Sequence, residues 1–192
     1  MNTVNQNFRL ILASGSPRRQ ELLRHMGYAF EILVPDVDEH VSGNARDIVD
    51  ILSRRKAEAA AQQVSNGVII ASDTLVSYNG LPLGKPEDAQ DAHRMLAMLS
   101  GNTHEVFTGV TILDAATGKS ETQVVRTGVT FRSLSAEEID RYIATGEPMD
   151  KAGAYAIQGG AGCFVEAFDG SFENVVGFPV HEIRQMLAKF EK

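Results

Sequence analysis

An α/β fold with a mixed, twisted sheet flanked by helices is what this sequence predicts, on three observations. Strand-like apolar runs alternate with helical patterns in the N-terminal half, two strand-like runs flank a turn in the middle, and an amphipathic helix closes the chain. The alternation alone would suit a parallel doubly wound sheet. The paired middle strands argue for a mixed one.

Residues 10–13 form a short apolar strand that runs through Ser14-Gly15-Ser16 into a helix opened by Pro17. Proline suits the first helical turn, and Gly27 can supply the left-handed cap at its end. Residues 28–34 read as a second strand, and 35–40 as an acidic loop. Asn44 is placed to cap a helix over about 45–64, with Ile48, Ile51, Leu52, Ala59 and Ala60 on one stripe and Lys56 in its later part. Residues 67–76 are the most apolar strand, and Asn79-Gly80 is a strong hairpin signal. A helix over 87–99 ends at Ser100-Gly101, and strands near 105–113 and 123–132 flank a turn at 116–119. Ser135-x-x-Glu138 has the capping-box pattern of a helix start. Residues 146–162 read as glycine-rich loop, 164–168 as a strand ending in Asp169-Gly170, and 179–190 as the last helix.

No repeat or Pro/Ser-rich linker divides the chain, so residues 1–192 are expected to form one continuous unit, with one core or two lobes sharing a cleft. Residues 1–8 are expected to be a flexible tail. They lack the basic and apolar regions of a secretory signal, and no run approaches the ~20 apolar residues of a membrane span. Cytoplasm is therefore the default location, with no membrane partner. The lone cysteine, Cys163, excludes an intrachain disulfide and reads as a small buried apolar residue. The formal charge of −7, from 18 basic and 25 acidic side chains, argues against a nucleic-acid partner. A small phosphorylated ligand needs only a local cationic pocket.

One segment suggests such a pocket. In Ser14-Gly15-Ser16-Pro17-Arg18-Arg19 a small hydroxyl-bearing turn meets a helix N-terminus, whose free N–H groups and partial positive charge favour an anion, and two guanidinium forks follow. The same residues also read as a plain strand-to-helix turn with a solvated arginine pair. Asp73 is conspicuous in its apolar strand, because a buried carboxylate needs a partner or a metal. The five histidines show no ligand spacing, His181-Glu182 lacks the second histidine of a zinc protease motif, and no Gly-Lys-Ser/Thr follows Gly159-Gly160-Ala161-Gly162.

Taken together with Asp38-Glu39, Lys56, Ser72-Asp73-Thr74, Gly84-Lys85-Pro86 and the run from Asp150 to Gly159, the turn makes a pattern that resembles the Maf family of nucleoside triphosphate pyrophosphatases. The resemblance covers about 10–190 and is similar in detail to the dTTP/UTP branch: Ser-Pro-Arg-Arg is uninterrupted, Thr74 follows Asp73, and Gln158 stands in Ile-Gln-Gly. Ser72 departs from the Ala or Gly usual in that family. What the resemblance implies is a Maf/ITPase-like fold with two lobes around a nucleotide-binding cleft, and hydrolysis to a monophosphate and pyrophosphate with Mg²⁺ or Mn²⁺. Substrates would be dTTP and UTP, with CTP or modified pyrimidines left open. Arg18, Arg19, Lys56 and Lys85 would then stabilise developing phosphate charge. Ser14 and Ser16 would help bind the substrate. Asp73 would accept a proton from the attacking water, hold the metal with Glu39, or both. Thr74 and Gln158 would read the base, an amide matching the O4 and N3–H edge of uracil or thymine. The resemblance also suggests a homodimer, and leaves open a nucleotide-binding regulator of septum formation with little turnover. A sugar-phosphate phosphatase is a further alternative, which would release orthophosphate.

Overall fold

The computed structural model describes residues 6–190. Strands β1 (Leu10–Leu12), β2 (Glu31–Ile32), β3 (Val68–Tyr78), β4 (Leu81–Leu83), β5 (Thr103–Asp114), β6 (Ser120–Phe131) and β7 (Val165–Asp169) form one sheet in the order β2-β1-β3-β5-β6-β7, with β4 also paired to β3. β1 runs parallel to β2 and β3 and every other pairing is antiparallel, so the sheet is mixed as expected. Among the described residues six α-helices flank it: α1 (Pro17–His25), α2 (Ala45–Ala61), α3 (Ala89–Leu99), α4 (Ala136–Ile143), α5 (Phe172–Val176) and α6 (Val180–Leu187). None is long and apolar enough to cross a membrane.

Period-2 alternation divides the sheet's side chains between two layers. Leu10, Leu12, Val68, Ile70, Val110 and Ile112 pack with Leu23 of α1 and with Ile183, Met186 and Leu187 of α6. Their neighbours Ile11, Ala13, Ile69 and Ala71 face the other way, onto Ala57 and Ala60 of α2. A third cluster gathers Val76, Val106, Val129 and Phe131 with Leu96 and Leu99 of α3 and Tyr142 of α4.

Local chemistry sets the boundaries. Asn44 Oδ1 accepts from Asp47 N at 2.9 Å and starts α2, and the Ser135–Glu138 capping box is formed in both directions. Asn79 and Gly80 both adopt positive φ, 49° and 79°, in the two-residue turn joining β3 to β4. The second strand is shorter than its pattern, because β1 is only three residues long and offers no longer ladder. The middle hairpin is longer than expected, extended at its open end by the Thr103–Thr130 hydroxyl pair at 2.8 Å. The expected loop over 146–162 contains three short 3₁₀ turns, and the five-residue α5 was not anticipated.

Of the expected tail, residues 1–5 lie outside the described residues. The Gln6 side chain exchanges hydrogen bonds with the Ala29 backbone at 2.9 Å, and Phe8 packs against the core. Cys163 is exposed rather than buried, with Sγ donating to the Gly160 carbonyl at 3.1 Å.

Candidate active site

β3 changes partner along one edge. β1 pairs with Val68–Ile70 and β4 with Val76–Tyr78, so residues 71–75 have no strand partner on that side among the described residues. A break of this kind, where neighbouring strands diverge, is where sheets of this class hold ligands. The loop entering α1 closes part of the gap, with Ala13 N donating to Ile70 O at 2.8 Å and Arg19 Nη1 to Ser72 O at 2.6 Å. The rest opens into a pocket of about 800 Å³. Side chains alternate along a strand, so Asp73 and Thr74 leave opposite faces of β3, yet both line this pocket.

On the α2 side, Lys56 Nζ donates to Asp73 Oδ1 at 2.6 Å and lies 2.7 Å from Glu39 Oε1. The Lys56 and Asp73 side chains are each 14% exposed, and Glu39 is 56% exposed. Asp73 therefore has the partner its apolar setting demands. The Lys56 hydrogen bond holds the Glu39 carboxyl below its usual range against the opposing cost of burial, with the charges of Lys56, Lys85 and Arg19 adding to the effect. Two carboxylates converging on one ammonium bring together hard oxygen donors of the kind that suit a divalent cation. Among the described residues no group of three ligating side chains gathers. Asp73 and Glu39 fit a Mg²⁺-type ion that takes one or two carboxylates and completes its shell with substrate phosphates and water.

On the opposite face Arg19 is a clamp. Its Nε donates to Gly177 O at 3.1 Å, Nη1 to Ser72 O and, at 3.4 Å, to Ser14 Oγ, and Nη2 to Thr74 Oγ1 at 3.3 Å. Desolvation pushes this guanidinium below its usual value, opposed by the charges of Asp73 and Glu39. With most donors engaged inside the protein, Arg19 fixes the pocket wall and contributes its charge there. Gly177 has φ +99°, and a Cβ on it would stand 2.7 Å from Thr74 Oγ1, so this approach requires glycine.

The remaining expected residues divide. Ser16, Arg18 and Lys85 line the pocket. Ser14 is buried behind it, its Oγ accepting from Ser16 N at 3.2 Å, which shapes the turn. Gln158 is exposed and is not part of the lining. Residue-by-residue expectation missed Asp150 and Lys151, which are ion-paired with each other, and Tyr155, Val175 and Val176, all lining the pocket. The run from Asp150 to Gly159 was the available signal. Its approach is set by Gly153, φ +67°, where a Cβ would fall 2.8 Å from Val76 Cγ2, and Gly153 N donates to Gly84 O at 2.9 Å beside Lys85.

Known proteins of similar sequence match this chain over most of its length. The chain is 47% identical to the dTTP/UTP pyrophosphatase of Bdellovibrio bacteriovorus over 188 residues, 94% of this chain and 98% of that one. It is 47% identical over 184 residues to the protein of that name from Salmonella typhimurium, covering 94% and 92% of the two chains. For the one from Chromobacterium violaceum the identity is 49% over 189 residues, covering 95% and 94%. The family described as Maf-like proteins matches residues 9–190. By its sequence along nearly its whole length, this chain belongs to the Maf family.

Proposed function

We propose that this protein hydrolyses dTTP and UTP to the nucleoside monophosphate and pyrophosphate, in a cleft between two lobes built on the sheet. The observation that carries the reading is the convergence of Lys56, Asp73 and Glu39 on one wall of a pocket also lined by Arg18, Lys85 and Lys151. Relatives named dTTP/UTP pyrophosphatase, matched over nearly their full length, supply the substrate.

In this mechanism the oxygen of a water molecule bonds to the α-phosphorus while the bond to the α–β bridging oxygen breaks, and pyrophosphate leaves with that electron pair. Asp73 takes the water's proton. Arg18, Lys56 and Lys85 are cationic groups positioned before the reaction, so they stabilise charge growing on the phosphate oxygens with little reorganisation. Ser16 and the start of α1 orient the phosphate chain. Held by Asp73 and Glu39, Mg²⁺ or Mn²⁺ would neutralise phosphate charge. Thr74 faces the base, with Val175, Val176 and Tyr155 as apolar walls, and Gln158 stands outside this lining. A cytoplasmic location and a homodimer complete the reading.

The test is to incubate the protein with each common nucleoside triphosphate and Mg²⁺ or Mn²⁺ and separate the products, with Asp73→Asn as the blank. Monophosphate and pyrophosphate from dTTP and UTP, absent in the variant, is the expected result. Orthophosphate as the first product would replace this mechanism with a phosphatase, and binding without turnover would replace it with a regulator.

A further inference from the structure

Thr74 and Thr108 lie directly opposite each other on β3 and β5, with their hydroxyl oxygens 3.0 Å apart. Each hydroxyl has one hydrogen and two acceptor positions. Thr108 is fully buried and its Oγ1 lies 3.0 Å from the Asn174 carbonyl oxygen, which has no hydrogen to give. Thr108 must donate there, since two facing lone pairs in a buried site would cost a hydrogen bond and its desolvation. Thr108 can then only accept from Thr74, so the Thr74 hydrogen points away from the pocket. Arg19 Nη2 donates to Thr74 Oγ1 and occupies one of its acceptor positions. What Thr74 retains is a single acceptor position and no donor.

The far end of this chain is held in place. The Asn174 side chain is buried, its Nδ2 donating to Val106 O at 3.2 Å and to Thr127 Oγ1 at 3.0 Å, and its carbonyl also accepts from Gly177 N at 2.9 Å. The polarity of Thr74 is thus built into the fold.

We propose that Thr108 is a specificity-positioning residue: by taking the Thr74 hydrogen, it makes Thr74 an acceptor-only contact that favours a pyrimidine carrying N3–H, uracil or thymine, over cytosine, whose N3 is itself an acceptor. The inference rests on the reading that Thr74 faces the base of a bound nucleotide. Thr108 does not line the pocket, and its effect on substrate passes through Thr74.

The experiment is kcat/KM for UTP and CTP with the wild-type protein, Thr108→Val, Thr108→Ser and Thr74→Val. Thr108→Val releases the Thr74 hydrogen, while Asn174 O keeps its bond from Gly177 N. The UTP:CTP preference is expected to shrink about tenfold or more, chiefly by gain on CTP, and Thr108→Ser is expected to retain the wild-type preference. Parallel losses on both substrates in Thr108→Val, as a general packing defect would give, would overturn the proposal. A preference altered by Thr74→Val and not by Thr108→Val rejects the polarity argument alone. Indifference to both variants rejects the base-facing role of Thr74. Thr108→Ala removes the same hydroxyl with less bulk and gives the same reading if the valine variant is insoluble.

Discussion

Gly109 lies directly opposite Asp73 in the β3–β5 register, and a Cβ on Gly109 would fall 2.2 Å from the Val49 carbonyl oxygen of α2. The helix is therefore seated on the sheet beside the carboxylate. Val49, Ser53 and Lys56 follow at helical spacing on one face of α2, and Ser53 Oγ accepts from Thr111 Oγ1 at 3.0 Å. The missing Cβ at Gly109 is what lets α2 come close enough for Lys56 to reach Asp73.

Gly109→Ala is expected to push α2 outward, costing about 1–3 kcal/mol in stability by overpacking. It should also lower kcat at temperatures where the variant remains fully folded. Gly128→Ala on β6, where an added Cβ meets nothing closer than 3.7 Å, is the matched control and should be near neutral. Thermal melts with kcat measured well below both midpoints separate the two effects. Equal activity in both variants would remove the link between Gly109 and the ion pair.

Asp73→Asn keeps the shape of the side chain and removes its basicity. About 10²–10⁴-fold loss of kcat is expected, with nucleotide binding retained, as measured by single-turnover kinetics alongside calorimetric binding. Wild-type turnover by Asp73→Asn would reassign the proton acceptor.

Glu39→Gln should raise the half-saturating Mn²⁺ concentration about tenfold or more, with a smaller change in kcat at saturating cation, because one of two carboxylates is lost. Mn²⁺ titration followed by electron paramagnetic resonance reads this without relying on activity. An unchanged titration would leave Asp73 alone as the protein ligand.

Ser72 is fully buried beside Asp73, and its Oγ has no hydrogen-bond partner. Ser72→Ala removes an unsatisfied hydroxyl with little change in volume, so it should stabilise the protein by about 1 kcal/mol, or about 2–4 °C in Tm. Turnover should stay near wild type, since the Arg19 bond is to the Ser72 backbone. A lower melting temperature would show that the hydroxyl matters to the fold.

His104 carries the clearest pH dependence. It is buried against Phe131 and Tyr155, its Nε2 lies 2.9 Å from the Tyr155 hydroxyl, and burial holds its pKa down at about 4. The unfolded chain, with histidine near its ordinary value of 6.5, binds the proton more readily. This group's contribution is therefore fully present above about pH 6.5 and is lost as pH falls toward 4, a loss of about 2 kcal/mol by pH 5. Urea unfolding at pH 7.5 and pH 5 measures it. His104→Gln should flatten that part of the profile, and an unchanged slope would place the acid sensitivity elsewhere.

Much of the architecture was legible because it rests on local rules. Asn44, Ser135 and Asn79-Gly80 announce caps and a turn through their own backbone chemistry, and the unbroken apolar run through 68–71 marks a strand, which the structure buries on both faces. The shortness of β2 was not legible, since it depends on where its partner β1 stops. Nor was α5, because five residues are too few to show a helical period. In the site, the local turn around Ser14 and the isolated carboxylate Asp73 stood out. Arg19 could be recognised as a cation, whereas its engagement with Ser72, Thr74 and Gly177, remote from it in sequence, could not.

The sequence by itself determined the mixed α/β class, the order of the longer elements and the inventory of charged and hydroxyl groups, because periodicity, capping and turn chemistry act over a few neighbouring residues. Only the tertiary structure decided which of those groups meet. It placed Glu39 and Asp73 on the same Lys56 ammonium, turned Arg19 into the clamp of the pocket wall, left Gln158 outside the lining and oriented the Thr74 hydroxyl through Thr108. The physical reason is that each of these contacts depends on how closely strands and helices remote in sequence pack, which glycines such as Gly109, Gly153 and Gly177 permit only once the chain has folded around them.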